Sequence, residues 1–222
     1  MKNIEKLDFL GDPNIGFYAI ANNEISIIGD KINKREVEKT LKVKCFRLKA
    51  NNTSLVGLFL SMNSNGLIAP DILLDEEISR LKEIAKQFSM NFLILKTKYT
   101  ALNNLILAND KGCIISRNFT KREAKKIEDC LNVETIRMDI YGFKIVGSVG
   151  VANNNGCVVH RDTNDDELKK IEEILKVDVE TSTVNFGSPF VASGIIANDK
   201  GILVGSKTTG PELAIIYDTL KG

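Results

Sequence analysis

Cysteine and histidine are the residue types with which this chain could perform nucleophilic chemistry. The only histidine, His160, stands three residues after Cys157 in the run CysValValHis. Residues three apart in an extended strand point to opposite faces of a sheet, so this thiol and this imidazole should not meet. Cys113 directly follows an earlier turn glycine in the same way and has no histidine nearby. We therefore interpret Cys157 as a buried thiol and His160 as a strand-end residue.

Other motifs that carry chemistry are absent from the sequence. It contains no P-loop, no GxGxxG in strand context, no HExxH and no GxSxG. The repeated phrase AsnAspLysGly lacks the alternating carboxylates of a calcium loop. We expect no catalytic residue, no cofactor and no metal site. The four cysteines form no CxxC pair, which argues against a zinc site and a disulfide framework; they are Cys45, Cys113, Cys130 and Cys157.

A short Asn-rich phrase recurs five times along the chain, at steps of 41, 46, 44 and 45 residues. A period of this length corresponds to one supersecondary unit. A glutamate stands fourteen residues beyond the leading Asn of each phrase, which argues for a structural duty repeated five times rather than for a general base. The leading asparagines are Asn22, Asn63, Asn109, Asn153 and Asn198, and the glutamates are Glu36, Glu77, Glu123, Glu167 and Glu212.

The residues around each phrase predict two strands, a helix and a further strand. Asn and Gly between apolar runs are typical of a hairpin turn. Three residues before each glutamate, the sequence usually offers a Thr or Asn that can form a capping box with it. Leu74 breaks this pattern, and Asp75 could cap that helix instead. Apolar residues at helical spacing follow, such as Ile127 and Leu131.

The fifth unit lacks its last strand, whereas Ile4 to Leu10 reads as a strand without a helix. Pairing of this amino-terminal strand with the fifth unit would close a ring and leave no exposed sheet edge. It would also bury each helix against its own sheet. We therefore predict a single α/β domain over residues 1–222, a closed ring of five ββαβ units with pseudo-fivefold symmetry. The approximate repeats are 12–53, 54–99, 100–143, 144–188 and 189–222, the last completed by 1–11. A doubly wound sheet would not place a hairpin in every unit.

Composition restricts the possible partners of the chain. Apolar residues make up 43% of its 222 residues and charged residues 27%, at a net charge of +1. Such a chain can fold into a globular domain. Its net charge is too small to produce an overall electrostatic field that attracts nucleic acid. Basic clusters, one of them beginning at Lys31, are interpreted as solvated faces. No apolar stretch is long enough to span a membrane, and the first residues lack the apolar core of a signal peptide. We expect a cytoplasmic protein.

Small or polar residues occupy one equivalent point in all five units, six positions before each leading Asn. One interpretation is that they permit close backbone approach around the axis. The other is that they form a flat face for a partner, and the sequence leaves both open. These residues are Gly16, Gly57, Asn103, Gly147 and Ala192.

The chain resembles archaeal and eukaryotic translation initiation factor 6, the ribosome anti-association factor, essentially from end to end. Specific segments are IleGlyPheTyrAlaIleAlaAsn at 15–22, AlaLeuAsnAsn at 101–104 and ValAlaSerGlyIleIleAlaAsnAsp at 191–199. ThrValAsn and GlySer within 183–188 and GluLeuAlaIleIle at 212–216 add to them. The resemblance implies the pentein fold, a fivefold α/β propeller that agrees with the ring predicted from the repeats.

The resemblance also implies a function. Such a factor binds the large (50S) ribosomal subunit, blocks docking of the small (30S) subunit and takes part in large-subunit maturation. It contacts a uL14-type ribosomal protein near the sarcin-ricin loop through one end of the propeller, and we expect a monomer without enzymatic activity. By this resemblance the ribosome-binding positions are Gly16 and Asn104, with Leu58, Val149 and Val191 as neighbours on equivalent repeat positions. Many eukaryotic members carry a basic residue in place of Leu58.

The sequence disfavours two other functional classes. Other pentein proteins are guanidine-modifying amidinotransferases and deiminases, but these place a catalytic cysteine in the last repeat, where this chain has none after Cys157. A general RNA-binding module is disfavoured by the neutral charge, the absence of Trp and an aromatic content of 6%. Salt distinguishes such a module from a protein contact, because phosphate contacts weaken steeply with added salt.

Overall fold

The computed structural model describes residues 3–30 and 32–222, so Lys31, which opens a predicted basic cluster, lies outside the described residues. It contains five three-stranded sheets and six helices. The strands are β1 Asn3–Leu7, β2 Ala19–Ala21, β3 Ile25–Ile28, β4 Lys44–Arg47, β5 Ser61–Met62, β6 Gly66–Pro70, β7 Asn91–Leu95, β8 Ile106–Ala108, β9 Cys113–Ile115, β10 Thr135–Arg137, β11 Gly150–Ala152, β12 Gly156–His160, β13 Asp178–Ser182, β14 Ile195–Asn198 and β15 Gly201–Gly205. The helices are α1 Lys34–Leu41, α2 Val56–Phe59, α3 Asp75–Gln87, α4 Lys121–Leu131, α5 Asp165–Leu175 and α6 Gly210–Leu220.

All five sheets are built in the same way. In each, a hairpin pairs two strands antiparallel, a helix follows, and the third strand pairs in parallel with the middle one, as in β8-β9-β10. In the fifth sheet the third strand is β1, which pairs in parallel with β15 in a register from Asn3 opposite Gly201 to Leu7 opposite Gly205. The predicted ββαβ architecture is therefore confirmed. The bounds of the five repeats within one domain stay a prediction.

Helix α4 packs against its own sheet, as predicted, and also against the preceding sheet. In α4, Ile127 and Leu131 are fully buried, as their spacing predicts. Their cluster contains Ile115 of their own unit but also Ile68 and Leu95 of the preceding sheet. The predicted burial of this helix against its own sheet is therefore confirmed, and the preceding sheet covers the helix as well. A helix wedged between two sheets buries more apolar area than one on a single sheet, and it couples neighbouring units.

Capping fixes the start of most of the long helices. Thr120 and Asn164 form complete capping boxes with the glutamate three residues later, as predicted. Helix α3 departs from the expectation, because Asp75 is its first helical residue and Leu74 is the N-cap. Leu74 has no side-chain acceptor, so only the reverse bond remains, from the Leu74 amide to Glu77 Oε2 at 3.0 Å.

The turn glycines serve a different purpose from the one a hairpin suggests. Gly66, Gly112 and Gly156 do not have positive φ. Instead, a Cβ on Gly112 would lie 1.9 Å from the Ile174 carbonyl oxygen, and one on Gly156 would lie 2.1 Å from that of Thr219. The glycines are needed because the last turn of a neighbouring helix approaches the hairpin closely.

No helix in 3–30 or 32–222 combines the length and the apolar character that crossing a membrane would require.

Candidate functional site

The asparagines that lead the five phrases form a closed ring at one end of the molecule. Each side-chain Nδ2 donates to the backbone carbonyl of the equivalent asparagine in the next unit, at 2.9 to 3.1 Å, so the last bond returns to the first unit. Each Oδ1 accepts from amides of its own turn, as Asn109 does from Lys111 and Gly112 at 2.9 Å. The five side chains are buried. This end of the axis is closed and saturated with hydrogen bonds.

The small residues of the five-unit register surround the axis at the opposite end. A Cβ on Gly16 would lie 1.9 Å from the Ala192 carbonyl oxygen, one on Gly57 would lie 2.0 Å from that of Gly16, and one on Gly147 would lie 1.9 Å from that of Asn103. No side chain fits at such distances. For these three glycines, the interpretation that the position permits close backbone approach is therefore confirmed. Asn103 and Ala192 carry side chains at the equivalent position, and the partner face stays a prediction.

A pocket of about 350 Å³ opens at this end, and we call it the axial pocket. Its lining contains aromatic, aliphatic, hydroxyl and amide side chains but no ionisable side chain among the described residues. A narrower cavity of about 90 Å³ lies between the pocket and the Asn ring. The pocket is lined by Asn14, Gly16, Phe17, Gly57, Leu58, Asn103, Asn104, Ser148, Ser188, Phe190, Ala192 and Ser193.

The structure separates the five predicted ribosome-binding positions into two groups. Gly16, Leu58 and Asn104 line the axial pocket. Val149 and Val191 are both 0% exposed and belong to the apolar core, so their side chains cannot contact a partner in this fold.

The sequence distance of each residue from the leading Asn of its unit explains why some predicted positions line the pocket and others are buried. Leu58 and Asn104 stand five residues before their asparagines, and the residues at this position in the last two units are Ser148 and Ser193. Both serines line the pocket. The predicted residues of these units, Val149 and Val191, stand one place after and two places before this position, so the two serines were missed although the repeat contained the signal.

The loops that connect successive units are residues 8–14, 48–55, 96–101, 138–149 and 183–190, and we call them the rim. Three of them contribute Asn14, Ser148, Ser188 and Phe190 to the lining of the pocket. The tips of four of the five have positive φ, and three of these tips carry large apolar side chains: Leu10 at 55°, Tyr141 at 47° and Phe186 at 67°. Phe186 is 81% exposed and Leu10 is 74% exposed. A non-glycine residue in this region costs about 1 to 2 kcal/mol, so the rest of the structure must hold these tips in place.

The repeated glutamates supply part of that support. Glu77 accepts the amides of Asn51 and Asn52 at 2.8 and 3.0 Å, in addition to capping its helix. Glu212 likewise accepts the amides of Phe186 and Gly187 at 3.2 and 2.8 Å.

The local hydrogen bonds also set the ionisation of Glu212. Burial alone would raise its pKa, but hydrogen bonds from Thr209, Thr183 and Gly187 outweigh this effect and lower the pKa to about 2. Glu167 likewise accepts the Tyr141 amide at 3.0 Å, so three of the five repeated glutamates join a helix to the rim.

The cysteines and the histidine form no nucleophilic site. Cys157 is fully buried in the core, and burial raises the pKa of its thiol far above the ordinary value. His160 instead stacks on Tyr141, with 4.8 Å between ring centroids, and burial lowers the pKa of its imidazole. The prediction that this thiol and imidazole do not pair is confirmed. Among the described residues, no group of three His, Cys, Asp or Glu side chains could hold a metal ion.

The model of the eIF-6 family matches residues 4–219. The chain belongs to the eIF-6 family. Relatives in this family named translation initiation factor 6 include the protein of Pyrococcus furiosus, which is 45% identical over 223 residues, or 98% of each chain. That of Staphylothermus marinus is 41% identical over 222 residues, covering 99% of this chain and 98% of its own length.

Among solved structures, a crystal structure of a dimethylarginine dimethylaminohydrolase adduct with S-methyl-L-thiocitrulline matches with a TM-score of 0.50. It is 14% identical and covers 78% of this chain and 68% of that chain. At this identity the likeness shows the fold alone. It is the pentein fold, so this eIF-6 family chain has the closed five-unit α/β propeller that its sequence predicts.

Proposed function

We propose that this chain is a translation initiation factor that binds the large (50S) ribosomal subunit and prevents the small (30S) subunit from joining it. The observation that carries the proposal is membership of the eIF-6 family over residues 4–219, together with full-length relatives named translation initiation factor 6. A part in large-subunit maturation, a cytoplasmic location and a monomeric state complete the proposal.

The surface that we assign to this contact is the rim end of the axis. The exposed side chains of Leu10 and Phe186 stand there on loops whose backbone hydrogen bonds fix their tips. Because these loops are already ordered, binding would not spend free energy on ordering them. A uL14-type ribosomal protein near the sarcin-ricin loop is the proposed partner, with Gly16, Leu58 and Asn104 at the centre of the contact.

Steric exclusion requires a body that does not deform, and the closed ring meets this requirement. Each of its five sheets is joined to the next through the Asn ring and through a long helix packed between units. No bond of a substrate needs to be made or broken in such a mechanism.

The alternative is a guanidine-modifying enzyme of the same fold. Covalent catalysis by cysteine requires an accessible thiol with a lowered pKa. All four cysteines are buried, and burial raises the pKa of Cys113 to about 12 and that of Cys130 to about 11. These observations favour the non-enzymatic function.

Co-sedimentation of the purified protein with separated ribosomal subunits at two salt concentrations tests the proposal, with subunit reassociation followed by light scattering. We expect salt-tolerant binding to the large subunit alone and inhibited reassociation. Asn104→Arg should weaken this binding, whereas Gln87→Arg, a matched change from amide to Arg on the exposed end of α3, should not. Free protein at the top of the gradient would contradict the proposal, and guanidine turnover would then be the next assay.

A further inference from the structure

We propose that the axial pocket binds an uncharged purine base, supplied either by a free nucleoside or by an unpaired nucleotide of an RNA. This goes beyond the proposed function, which requires a protein contact at the rim and at Gly16, Leu58 and Asn104 but no bound base. Three properties of the pocket support it: a buried hydroxyl without a partner, a free amide on the wall and aromatic side chains at the mouth.

The buried hydroxyl belongs to Ser193. This residue is 7% exposed and lines the pocket, and its Oγ has no hydrogen-bond partner among the described residues. A buried polar atom without a partner is costly, and most such atoms in folded proteins are paired. Ser182, by contrast, is similarly buried in the neighbouring unit, and its Oγ donates to the Thr183 carbonyl at 3.0 Å. The Ser193 Oγ therefore has unused hydrogen-bonding capacity in the pocket wall. It is covered by its neighbours in the free protein, so a ligand reaches it only when that wall shifts.

The free amide belongs to Asn104. Its neighbour Asn103 uses its own Nδ2 to bond the Gly57 carbonyl at 2.8 Å. Asn104 is half-buried on the pocket wall, and within 3–30 and 32–222 its side chain makes no hydrogen bond to another residue. A carboxamide offers one acceptor and one donor side by side, which is the pattern that pairs with the edge of adenine.

The walls favour a flat and neutral group. Phe17, Leu58 and Phe190 line the pocket, and no ionisable side chain does so among the described residues. Aromatic side chains stack on bases, whereas a phosphate or a charged amine would lose its hydration here without a compensating charge. The volume of about 350 Å³ lies at the lower end of small-molecule sites. Uncharged purine rings with polar edges meet all of these conditions.

Calorimetric titration of the whole protein with adenosine, guanosine and uridine tests the proposal, with thermal unfolding measured on the same samples. We expect the purine nucleosides to bind more tightly than uridine. Ser193→Ala and Asn104→Leu should each weaken purine binding by roughly tenfold, since each removes one hydrogen bond. A short single-stranded adenine RNA and the same RNA with an abasic centre distinguish the two sources. Preference for the intact RNA over adenosine would identify RNA as the source.

Ser182→Ala is the matched control for Ser193→Ala. Removal of the unpaired Ser193 hydroxyl should raise the melting temperature of the free protein while weakening purine binding. Removal of the paired Ser182 hydroxyl should lower the melting temperature and leave binding unchanged. Absence of binding at millimolar adenosine, guanosine and adenine RNA overturns the proposal, as does equal affinity in Ser193→Ala. Binding to ribosomal subunits is measured separately by co-sedimentation. A failure of purine binding can therefore be distinguished from a failure of subunit binding.

Discussion

The two ends of the propeller axis are built from the same repeat register and yet are finished in opposite ways. At one end, five buried asparagines bond one another in a closed ring. At the other end, small residues bring the backbones together, and the side chains that follow them leave a pocket with unpaired polar groups. The comparison shows that the same residue recurs in all five units where every unit makes the same contact with the next, as in the Asn ring. At the pocket end the five units carry different side chains, and this surface is available for binding.

The largest expected effect comes from breaking the Asn ring. Asn109→Ala removes bonds to the Asn153 and Leu175 carbonyls, at 3.0 and 2.9 Å, and leaves these buried groups without a partner. We expect a loss of about 3 to 5 kcal/mol in the free energy of unfolding, measured with urea. Asn104→Ala at the pocket end is the control, with an expected change below about 0.5 kcal/mol. Equal losses in both variants would remove the distinction between the two ends.

A methyl group at the backbone crossing should have the next largest effect. Gly57→Ala places a Cβ 2.0 Å from the Gly16 carbonyl oxygen and 2.8 Å from that of Ala19. We expect a destabilisation of about 2 to 3 kcal/mol, because backbone rather than a mobile side chain must shift. Gly210→Ala, where nothing lies within 4 Å, should cost little in the same thermal denaturation assay. Tolerance of Gly57→Ala would show that the crossing is looser than these distances indicate.

Loosening the joint between rim and helix should have an intermediate effect. Glu212→Gln keeps the shape of the side chain but weakens its bonds to Thr209, Phe186 and Gly187, with an expected cost of about 1 to 2 kcal/mol at neutral pH.

The pH dependence of this effect has a definite sign. The folded pKa of about 2 lies below the ordinary value of 4.5, so the charged carboxylate stabilises the fold fully above pH 4.5. This stabilisation is lost as the pH falls from about 4.5 towards about 2. Melting temperatures across that range should fall more steeply for the original protein than for Glu212→Gln. Parallel curves would assign the acid sensitivity to other groups.

The smallest effect on stability is expected at the rim itself. Phe186→Ser changes a side chain that is 81% exposed, so the free energy of unfolding should shift by less than about 0.5 kcal/mol. Binding to the large subunit should weaken nonetheless if the rim carries the contact, as co-sedimentation can measure. Ile215→Ser, at another exposed apolar residue on α6, is the control that should leave binding intact. Unchanged binding in Phe186→Ser would place the contact elsewhere.

Much of the fold could be predicted from the sequence, because the repeat states the same local rules five times. The turn asparagines and the helix-capping glutamates gave the ββαβ unit, and helical spacing gave buried residues such as Ile127. The site was harder to predict. Gly16 and Asn104 line the pocket, whereas Val149 and Val191 are buried, because a shift of one residue moves a side chain from the pocket to the core.

The sequence by itself determined the number of units, the order of elements within each and the closing position of the amino-terminal strand. These depend on local turn chemistry, caps and hydrophobic periodicity, which short segments contain in full. Only the tertiary structure decided that each long helix packs between two sheets, that the turn asparagines join in a ring and that the Ser193 Oγ has no partner among the described residues. Such features depend on distances between residues of different units, and those distances exist only after the ring has closed.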